Sequence, residues 1–210
     1  MTLLRIDASI LGPQSASSEL ADLVLAAWSA ERPGEAVVTR HLGAEPLPAN
    51  AWATAVGAGY TPEDQRSDAQ RSAVALAAGL AAELRAADHV VIAAPLYNFG
   101  ISQHLKIWLD LAIAGGVLGE KLLEGKPVVL VTTRGGAYGA GTPREGWDHN
   151  TDFLRRILAD VWGAELTVVE REFTLVGVNP ALDAFTETAA VMKKEAHEQA
   201  TAAGSALAGR

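Results

Sequence analysis

The chain has 210 residues, of which 49% are hydrophobic and 20% are charged, values that are ordinary for one globular domain with its own core. It contains no cysteine, which excludes disulfides, thiol catalysis and cysteine-ligated zinc or iron–sulfur centres. The formal net charge of −8 argues against a nucleic-acid surface, because neutralising nucleic-acid phosphates requires clustered Lys and Arg side chains.

The first half of the chain alternates short apolar runs with longer runs of helical character. The predicted elements are, in order, a strand over residues 3–7, a helix over 18–31, a strand over 37–42 and a helix over 63–87. Pro33 and Gly34 end the first helix. Residues 43–62 carry three prolines and three glycines, so they predict an irregular excursion.

The second half continues the same alternation. Residues 89–94 (HVVIAA) form a mostly apolar run, which is typical of a central strand buried on both faces. The further predicted elements are a helix over residues 101–114, a strand over 127–132, a helix over 150–161, a strand over 166–173 and a closing helix over 181–207. Residues 133–147 predict a glycine-rich loop, and residues 204–210 are expected to be frayed.

Five strands joined by helices predict a three-layer α/β/α domain built on a parallel sheet. Glycine-bearing turns after the first and fourth strands suggest the doubly wound strand order 2-1-3-4-5. No repeat or linker divides the chain, so we expect a single domain over residues 1–210. In this topology the ligand crevice lies at the carboxyl ends of the strands, where three loops of distinctive composition should converge.

The first of these loops, residues 8–20, is rich in serine. Ser9, Ser15, Ser17 and Ser18 supply hydroxyl groups, and the last three lie where a helix begins. A helix N-terminus offers unpaired N–H groups and the positive end of the helix dipole, which together bind phosphate. A lone serine here is more often an N-cap, but four serines in an acidic chain favour a phosphate site.

The second loop, PLYNFG at residues 95–100, places two aromatic side chains directly after the central strand. Tyr97 and Phe99 could contact a planar ring, and Asn98 could form a hydrogen bond with its polar edge. Both aromatic side chains could instead pack into the core, which is the commoner outcome for an isolated pair.

The third loop, TRGGAY at residues 133–138, contains paired glycines. Gly135 and Gly136 carry no Cβ, so their N–H groups can approach a planar ligand closely. An ordinary turn explains the same pair equally well. The joint placement of the three loops favours a single planar ligand that carries a phosphate.

No metal-ligand or hydrolase motif accompanies these loops. The five histidines have no metal-ligand spacing, so no metal is expected at His41, His89, His104, His149 or His197. A GxSxG nucleophile elbow is absent, and the lack of GxGxxG after the first strand argues against a resident dinucleotide. The N-terminus lacks a signal-peptide pattern and no apolar run is long enough to span a membrane, so we expect a cytoplasmic protein.

Three segments carry a resemblance to a known family: ASILGPQSASS (8–18), AAPLYNFGISQHLKIWLDL (93–111) and VTTRGG (131–136). They resemble the flavodoxin-like FMN-dependent NADH:azo- and quinone-reductases of bacteria, and the likeness runs over nearly the whole chain. The resemblance implies that FMN phosphate lies on the first loop and the flavin on the other two. It assigns Ser9, Ser15, Ala16 and Ser17 to the phosphate, Leu96, Tyr97, Asn98 and Phe99 to the flavin, and Thr133, Arg134, Gly135 and Gly136 to its pyrimidine edge.

The resemblance also implies a ping-pong cycle. NADH or NADPH passes a hydride to the flavin and leaves, and a quinone or azo acceptor takes its place. The N–H groups of Gly135 and Gly136 are then candidates for stabilising the negative charge of the reduced flavin, and no side chain is required as a general acid. Two alternatives stay open from the residues: a non-enzymatic FMN electron carrier and a flavin-free signalling or scaffold module.

The sequence departs from the family pattern in two places. The stretch LGEKLLEGK (118–126) lacks the aromatic segment that usually precedes the fourth strand. Tyr138 stands where the family often has a histidine after the paired glycines. In that family the missing segment helps to shape the substrate pocket, so the preferred acceptor stays open.

The helix after PLYNFG is apolar on two faces. One predicted stripe faces the sheet and comprises Ile101, Leu105, Trp108, Leu109 and Ala112. A second stripe comprises Ile107, Leu111 and Ala114. The second stripe, like the resemblance, predicts a homodimer with this helix at a two-fold interface and active sites shared between subunits. The alternative is a monomer in which residues 43–62 cover the second stripe.

Overall fold

A computed structural model describes all 210 residues and has a five-stranded, wholly parallel sheet between two layers of helices. The strand order is β2-β1-β3-β4-β5, which confirms the predicted topology. The strands are Thr2–Asp7 (β1), Ala36–His41 (β2), His89–Pro95 (β3), Pro127–Thr133 (β4) and Glu165–Arg171 (β5). The helices are Ala16–Glu31 (α1), Ala51–Ala58 (α2), Asp68–Ala86 (α3), Gln103–Gly115 (α4), Thr151–Arg155 continued by the π-helical Arg156–Val161 (α5), and Thr186–Ala208 (α6).

The sheet separates two apolar cores. Successive side chains of β3 point to opposite faces, as the pleat of a strand requires. Val90 and Ile92 pack in the core beneath α2, α3, α4 and α5, whereas Val91 and Ala93 pack beneath α1 and α6. All of β3 is buried, which confirms it as the central strand. None of the helices is long and apolar enough to cross a membrane.

Residues 43–62 are more regular than the sequence predicts. The irregular excursion contains α2, whose Ala51, Ala55 and Ala58 form a small buried face against α3 and α4. The predicted start of α3 at residue 63 is also wrong. Ser67 and Gln70 form a capping box, in which each side chain accepts a hydrogen bond from the other's backbone N–H, so the helix begins at Asp68.

The C-terminus is a packed helix, so the prediction that residues 204–210 are frayed is wrong up to Ala208. Gly204 lies so close to α1 that a Cβ there would overlap the carbonyl of Val24. The side chain of Arg32 donates to the carbonyl oxygen of Ala208 at 2.7 Å, which anchors the last turn. Close packing of small residues against α1 therefore orders this end of the chain.

Helix α4 buries the stripe that the sequence predicts to face the sheet, except that Ile101 precedes the helix and is half-buried. The second stripe differs from the prediction, since Leu111 is already buried within this chain. Ile107 is half-buried and Ala114 is exposed. Part of the surface on which the dimer prediction depends is therefore covered by the chain itself.

Candidate functional site

The serine loop ends at the first turn of α1. Ser15 is the N-cap: its Oγ accepts a hydrogen bond from the N–H of Ser18 at 3.1 Å and lies 3.1 Å from Oγ of Ser17. The N–H groups of Ala16 and Ser17, the first two of the helix, donate to no group of the chain. Ser17 is completely buried, and a buried N–H without an acceptor is costly. The cap therefore coexists with an anion-binding position at the positive end of α1.

The hydroxyl group of Tyr97 joins the first loop to the second. It lies 3.2 Å from Oγ of Ser9 and accepts the N–H of Ile10 at 3.2 Å. Oγ of Ser9 in turn accepts the N–H of Leu11 at 3.2 Å. The structure thus brings Ser9 and Tyr97 together, as expected for two loops at the carboxyl ends of neighbouring strands.

The second loop is a tight turn with an unusual backbone. Tyr97 and Gly100 exchange two backbone hydrogen bonds, of 3.1 and 3.0 Å, around Asn98 and Phe99. Both central residues have positive φ, 48° at Asn98 and 68° at Phe99. Such angles cost conformational energy for a bulky residue and tend to occur at functional sites. The turn holds both side chains at the surface of the crevice, which argues against the alternative in which Phe99 packs in the core.

The second and third loops are joined by backbone and by aromatic contacts. Leu96 donates its N–H to the carbonyl of Thr133 at 2.8 Å, and His149 donates to the carbonyl of Phe99 at 3.0 Å. The ring centroids of Phe99 and Tyr138 are 6.4 Å apart. Trp147, which the sequence analysis did not single out, lies edge-on to Phe99 at 5.6 Å. The three predicted loops therefore form one continuous structure.

The glycine loop presents its N–H groups because its carbonyl groups are occupied. The carbonyls of Arg134, Gly135 and Gly136 accept hydrogen bonds of 3.1–3.3 Å from the N–H groups of residues 173–175. The N–H groups of Gly135 and Gly136 donate to no group of the chain. Preorganised, unbonded N–H donors of this kind suit a group on which negative charge develops.

Arg134 supports the loop through its side chain, and its contact with a ligand stays a prediction. Its guanidinium donates to Asp148 at 2.6 Å, Glu170 at 2.8 Å and Thr151 at 3.1 Å, and Glu172 lies 3.5 Å away. Its backbone N–H donates to the carbonyl of Arg171 and its carbonyl accepts from Thr174, so the backbone of Arg134 offers no donor to a ligand. Burial would lower the pKa of Arg134, but the hydrogen bonds to Glu170 and Asp148 raise it above the usual value.

Asp148 is the main partner of Arg134 and lies just before α5. Its carboxylate accepts the N–H groups of Asn150 at 2.8 Å and Thr151 at 3.0 Å. Burial by itself would raise the pKa of Asp148, but the hydrogen bonds from Thr151, Asn150 and Arg134 outweigh it and lower the pKa. The side chain of Asn150 donates to the carbonyl of Ala94, which ties this segment to β3.

Charged groups beneath the serine loop neutralise one another. Asp7 is 1% exposed, and Arg5 donates to it at 3.1 Å and to Asp22 at 2.5 Å. Arg171 similarly donates to Glu19 in the first turn of α1 at 2.9 Å. These arginines are committed to carboxylates, so a phosphate on this loop would be held by N–H and hydroxyl groups.

A separate cavity adjoins the glycine loop at Arg134 and Tyr138. It measures about 570 Å³ and is lined by Arg134, Asp148, Asp152, Arg155 and Glu170, among others. None of the predicted phosphate or flavin residues lines it except Arg134, and its charged side chains largely pair with one another. We therefore place the candidate site in the crevice between the three loops and not in this cavity.

Sequence reasoning missed the residues that fix the crevice from behind. The sequence predicts Asn150 only as the first residue of a helix and gives Asp148 no role, although Asp and Asn are residue types that favour helix starts. Arg144 and Trp147 lie within the glycine-rich loop, where an aromatic and a basic residue among glycines were the available signal. Glu172, which accepts the N–H of Tyr138 at 2.9 Å, carried no signal in the sequence.

The parallel 2-1-3-4-5 sheet and a phosphate-type loop at α1 define a flavodoxin-like protein, and a sequence model of the flavodoxin-like fold matches residues 1–199. The chain belongs to this family. Among its relatives, the FMN-dependent NADH:quinone oxidoreductase of Frankia alni is 37% identical over 99% of this chain and 97% of its own length. The enzyme of the same name from Streptomyces avermitilis is 37% identical over 100% of this chain and 98% of its own length. These relatives confirm the predicted resemblance and favour an enzyme over a non-enzymatic carrier.

Solved structures agree with the fold. Azoreductase AzrA has a TM-score of 0.80 at 22% identity and covers 98% of this chain and 100% of its own. An FMN-dependent NADH-azoreductase from Bacillus anthracis, solved in complex with FMN, has a TM-score of 0.74 at 19% identity and covers 97% and 100%. At such identities the likeness establishes the fold alone.

Proposed function

We propose that this protein is an FMN-dependent oxidoreductase that uses NADH or NADPH to reduce quinones and, by the same chemistry, azo compounds. The observation that carries the proposal is the presence of two pairs of unbonded N–H groups at the carboxyl ends of the strands. The pair at Ala16 and Ser17 suits a phosphate, and the pair at Gly135 and Gly136 suits the polar edge of a flavin. The names of the curated relatives support the same cofactor and activity.

The residues at the crevice fit FMN from its phosphate to its ring. The phosphate would provide the acceptor that the buried N–H of Ser17 lacks within the chain. A Cβ on Gly135 would lie 2.6 Å from Cδ1 of Leu175, so a side chain at this position would require the Leu175 side chain to move. We assign Ser9, Ser15, Ala16 and Ser17 to the phosphate, Leu96, Tyr97, Asn98 and Phe99 to the flavin ring, and Thr133, Arg134, Gly135 and Gly136 to its pyrimidine edge.

FMN, when bound, supplies the hydride and electron transfer chemistry, and the protein supplies binding, orientation and electrostatics. The N–H groups of Gly135 and Gly136 would hold the pyrimidine edge and would stabilise negative charge that develops there. They need no reorganisation, because residues 173–175 already hold the loop carbonyls. Tyr97 fixes the distance between the phosphate and ring ends of the crevice through Ser9 and Ile10. No side chain is needed as a general acid, since solvent can protonate the reduced acceptor.

An absorbance spectrum of the purified protein, followed by NADH oxidation with menadione, tests the proposal. A yellow protein that oxidises NADH steadily with menadione supports it. A protein that holds FMN but does not turn over NADH would be an electron carrier, and a colourless protein that takes up no FMN would be a flavin-free module. Stopped-flow reduction with each nicotinamide then decides between NADH and NADPH.

We also propose a homodimer in which each crevice is completed by the partner subunit. Apolar side chains remain exposed on and near the α4 side of the molecule, at Trp52, Val56, Tyr60, Val117 and Leu118. An exposed apolar surface of this kind is typical of an interface with another protein. Since α2 covers part of α4, the surface expected at the two-fold axis includes α2. Light scattering at micromolar concentration tests this, and an active monomer of 21.9 kDa would contradict the dimer.

A cytoplasmic location completes the proposal, because the cytoplasm supplies reduced nicotinamide cofactors. Cell fractionation with antibody detection tests the location. Recovery of the protein in an extracytoplasmic fraction would contradict it.

A further inference from the structure

Arg144 is a cation at the crevice that no carboxylate of the chain neutralises. Most arginines of this acidic protein form ion pairs, but Arg144 forms none. Glu145 accepts the N–H of Gly141 at 2.7 Å and Glu172 accepts the N–H of Tyr138 at 2.9 Å, and neither carboxylate forms an ion pair with Arg144. The charge of Arg144 is therefore available to a ligand.

Arg144 lies at the end of an aromatic wall. Its guanidinium carbon is 5.5 Å from the ring centroid of Tyr138, and its Nη1 donates to the Tyr138 hydroxyl at 3.3 Å. Phe99 connects the Tyr138 ring, at 6.4 Å, to the Trp147 ring, at 5.6 Å. A turn closed by the N–H of Trp147 and the carbonyl of Arg144, at 3.1 Å, holds the cation and the indole on one short segment. The rings of Tyr138 and Trp147 are tilted by 56° and 75° from that of Phe99, so a planar aromatic molecule would stack on one ring and meet the others edge-on.

This wall lies beside the proposed pyrimidine edge. A Cβ on Gly136 would be only 3.2 Å from Nη1 of Arg144, so the guanidinium lies next to the glycine loop. Phe99 and Tyr138 belong to the two loops assigned to the flavin ring. An acceptor that stacks against these side chains therefore has a guanidinium within reach of a substituent on its ring.

Resting on the proposed function, we infer that Arg144 makes the enzyme selective for aromatic acceptors with an anionic substituent, namely quinones or azo compounds that bear a carboxylate or a sulfonate. The guanidinium can donate two parallel hydrogen bonds to such a group. Stacking on Tyr138 orients the guanidinium before the acceptor arrives, which limits the side-chain entropy lost on binding. Arg144 is thus a specificity-determining residue and takes no part in the transfer of electrons.

The first test measures binding without turnover. Oxidised holoprotein, with no nicotinamide present, is titrated in a calorimeter with anthraquinone sulfonate and with uncharged hydroxymethyl anthraquinone. We expect the wild type to bind the sulfonate more tightly than the uncharged compound. Arg144→Gln should lower this ratio of affinities about fivefold, a loss that lies between that of an exposed ion pair and that of a bidentate charged hydrogen bond. Arg144→Lys should keep part of the preference, because lysine keeps the positive charge but cannot donate two parallel hydrogen bonds.

Arg156→Gln is the matched control. It removes the same charge from an exposed arginine on α5 that pairs with Asp160. It should leave the ratio of the two dissociation constants unchanged. If Arg156→Gln lost as much of the preference for the sulfonate as Arg144→Gln, the effect would be due to net charge and the inference would be overturned. The FMN content of each variant is measured first, so that a displaced glycine loop is recognised.

The second test uses turnover, as the ratio of kcat/KM for naphthoquinone sulfonate to that for menadione. We expect Arg144→Gln to lower this ratio about fivefold, through KM for the sulfonate, and added salt to reduce the wild-type preference. An unchanged ratio in a variant that holds FMN and reduces menadione overturns the inference alone. If Arg144→Gln changes the preference for NADPH over NADH but leaves the ratio for the two acceptors unchanged, the inference is also overturned, because Arg144 would then recognise the nicotinamide nucleotide. A wild-type protein that holds no FMN overturns the proposed function and this inference together.

Discussion

Replacing Gly136 by Ala separates the stability of the glycine loop from its capacity to hold FMN. In the ligand-free chain, a Cβ on Gly136 would meet only the flexible end of Arg144, with Nη1 at 3.2 Å. The backbone of Gly136 is not in the left-handed region, so alanine can adopt it without strain. A Gly-to-Ala change at such a position lowers the entropy of the unfolded chain and stabilises the fold by about 0.4–1 kcal/mol.

The effect of the same methyl group on FMN should have the opposite sign. The methyl group would stand beside the N–H that we assign to the pyrimidine edge, where the ring must approach closely. Forcing an extra carbon into a packed contact costs about 1–3 kcal/mol. That free energy corresponds to a dissociation constant for FMN that is about 5- to 150-fold higher.

Urea unfolding of the apoprotein and titration with FMN, followed by flavin fluorescence, measure the two effects separately. Gly139→Ala is the control, since its Cβ meets nothing closer than Glu172 at 3.9 Å, and it should bind FMN normally. The flavin reduction potential of Gly136→Ala should also fall, because the N–H donor is displaced from the charge that develops. Full FMN affinity and an unshifted potential in Gly136→Ala would refute the placement of the ring.

Three further predictions concern the serine loop, a buried histidine and the arginine behind the glycine loop. Replacing Ser15 and Ser17 together by Ala should weaken FMN binding by about 1.5–3 kcal/mol for each hydroxyl–phosphate hydrogen bond lost, and unchanged affinity in an FMN titration would contradict the phosphate site. Burial lowers the pKa of His89, whose Nδ1 accepts the indole N–H of Trp28 at 2.8 Å. As the pH falls, this histidine is therefore protonated in the unfolded chain before it is protonated in the folded one, so the free energy of unfolding should decline below about pH 6.5. His89→Gln should flatten that decline in urea melts from pH 8 to 5. Arg134→Met should destabilise the protein by about 3 kcal/mol in urea unfolding, because it leaves the largely buried carboxylates of Asp148 and Glu172 without a cation, and a loss below about 1 kcal/mol would show that they are better solvated than the structure indicates.

The sequence was sufficient for the fold because the signals of a parallel α/β domain are local and repeated. An apolar run such as residues 89–94 is typical of a central strand, and β3 is indeed buried over its whole length. Once the strand order is known, the loops after β1, β3 and β4 must meet, since the carboxyl ends of parallel strands share one edge. Errors arose where a cap or a tight contact decided the outcome, as at Ser67 and at Gly204.

The roles of single residues in the crevice were less predictable. Ser9 and Tyr97 were singled out by their position in the loops, but the hydrogen bond between them depends on residues 88 positions apart in the chain. Arg134 lies within a glycine motif that predicts a ligand contact, yet its side chain binds Asp148 and Glu170. Side-chain direction depends on which partners lie nearby in space, and no periodicity in the sequence records them.

The class of fold, the three loops and the chemistry they can offer follow from the sequence: hydroxyl groups at a helix start, an aromatic turn and paired glycines. Which N–H groups remain free depends on the tertiary structure. The segment 173–175 binds the carbonyls of the glycine loop, and this contact leaves the N–H groups of Gly135 and Gly136 unbonded. It likewise placed Arg144 on Tyr138 without a carboxylate partner. The physical reason is that the availability of a donor or a charge depends on all of its neighbours, and most of those neighbours come from distant parts of the chain.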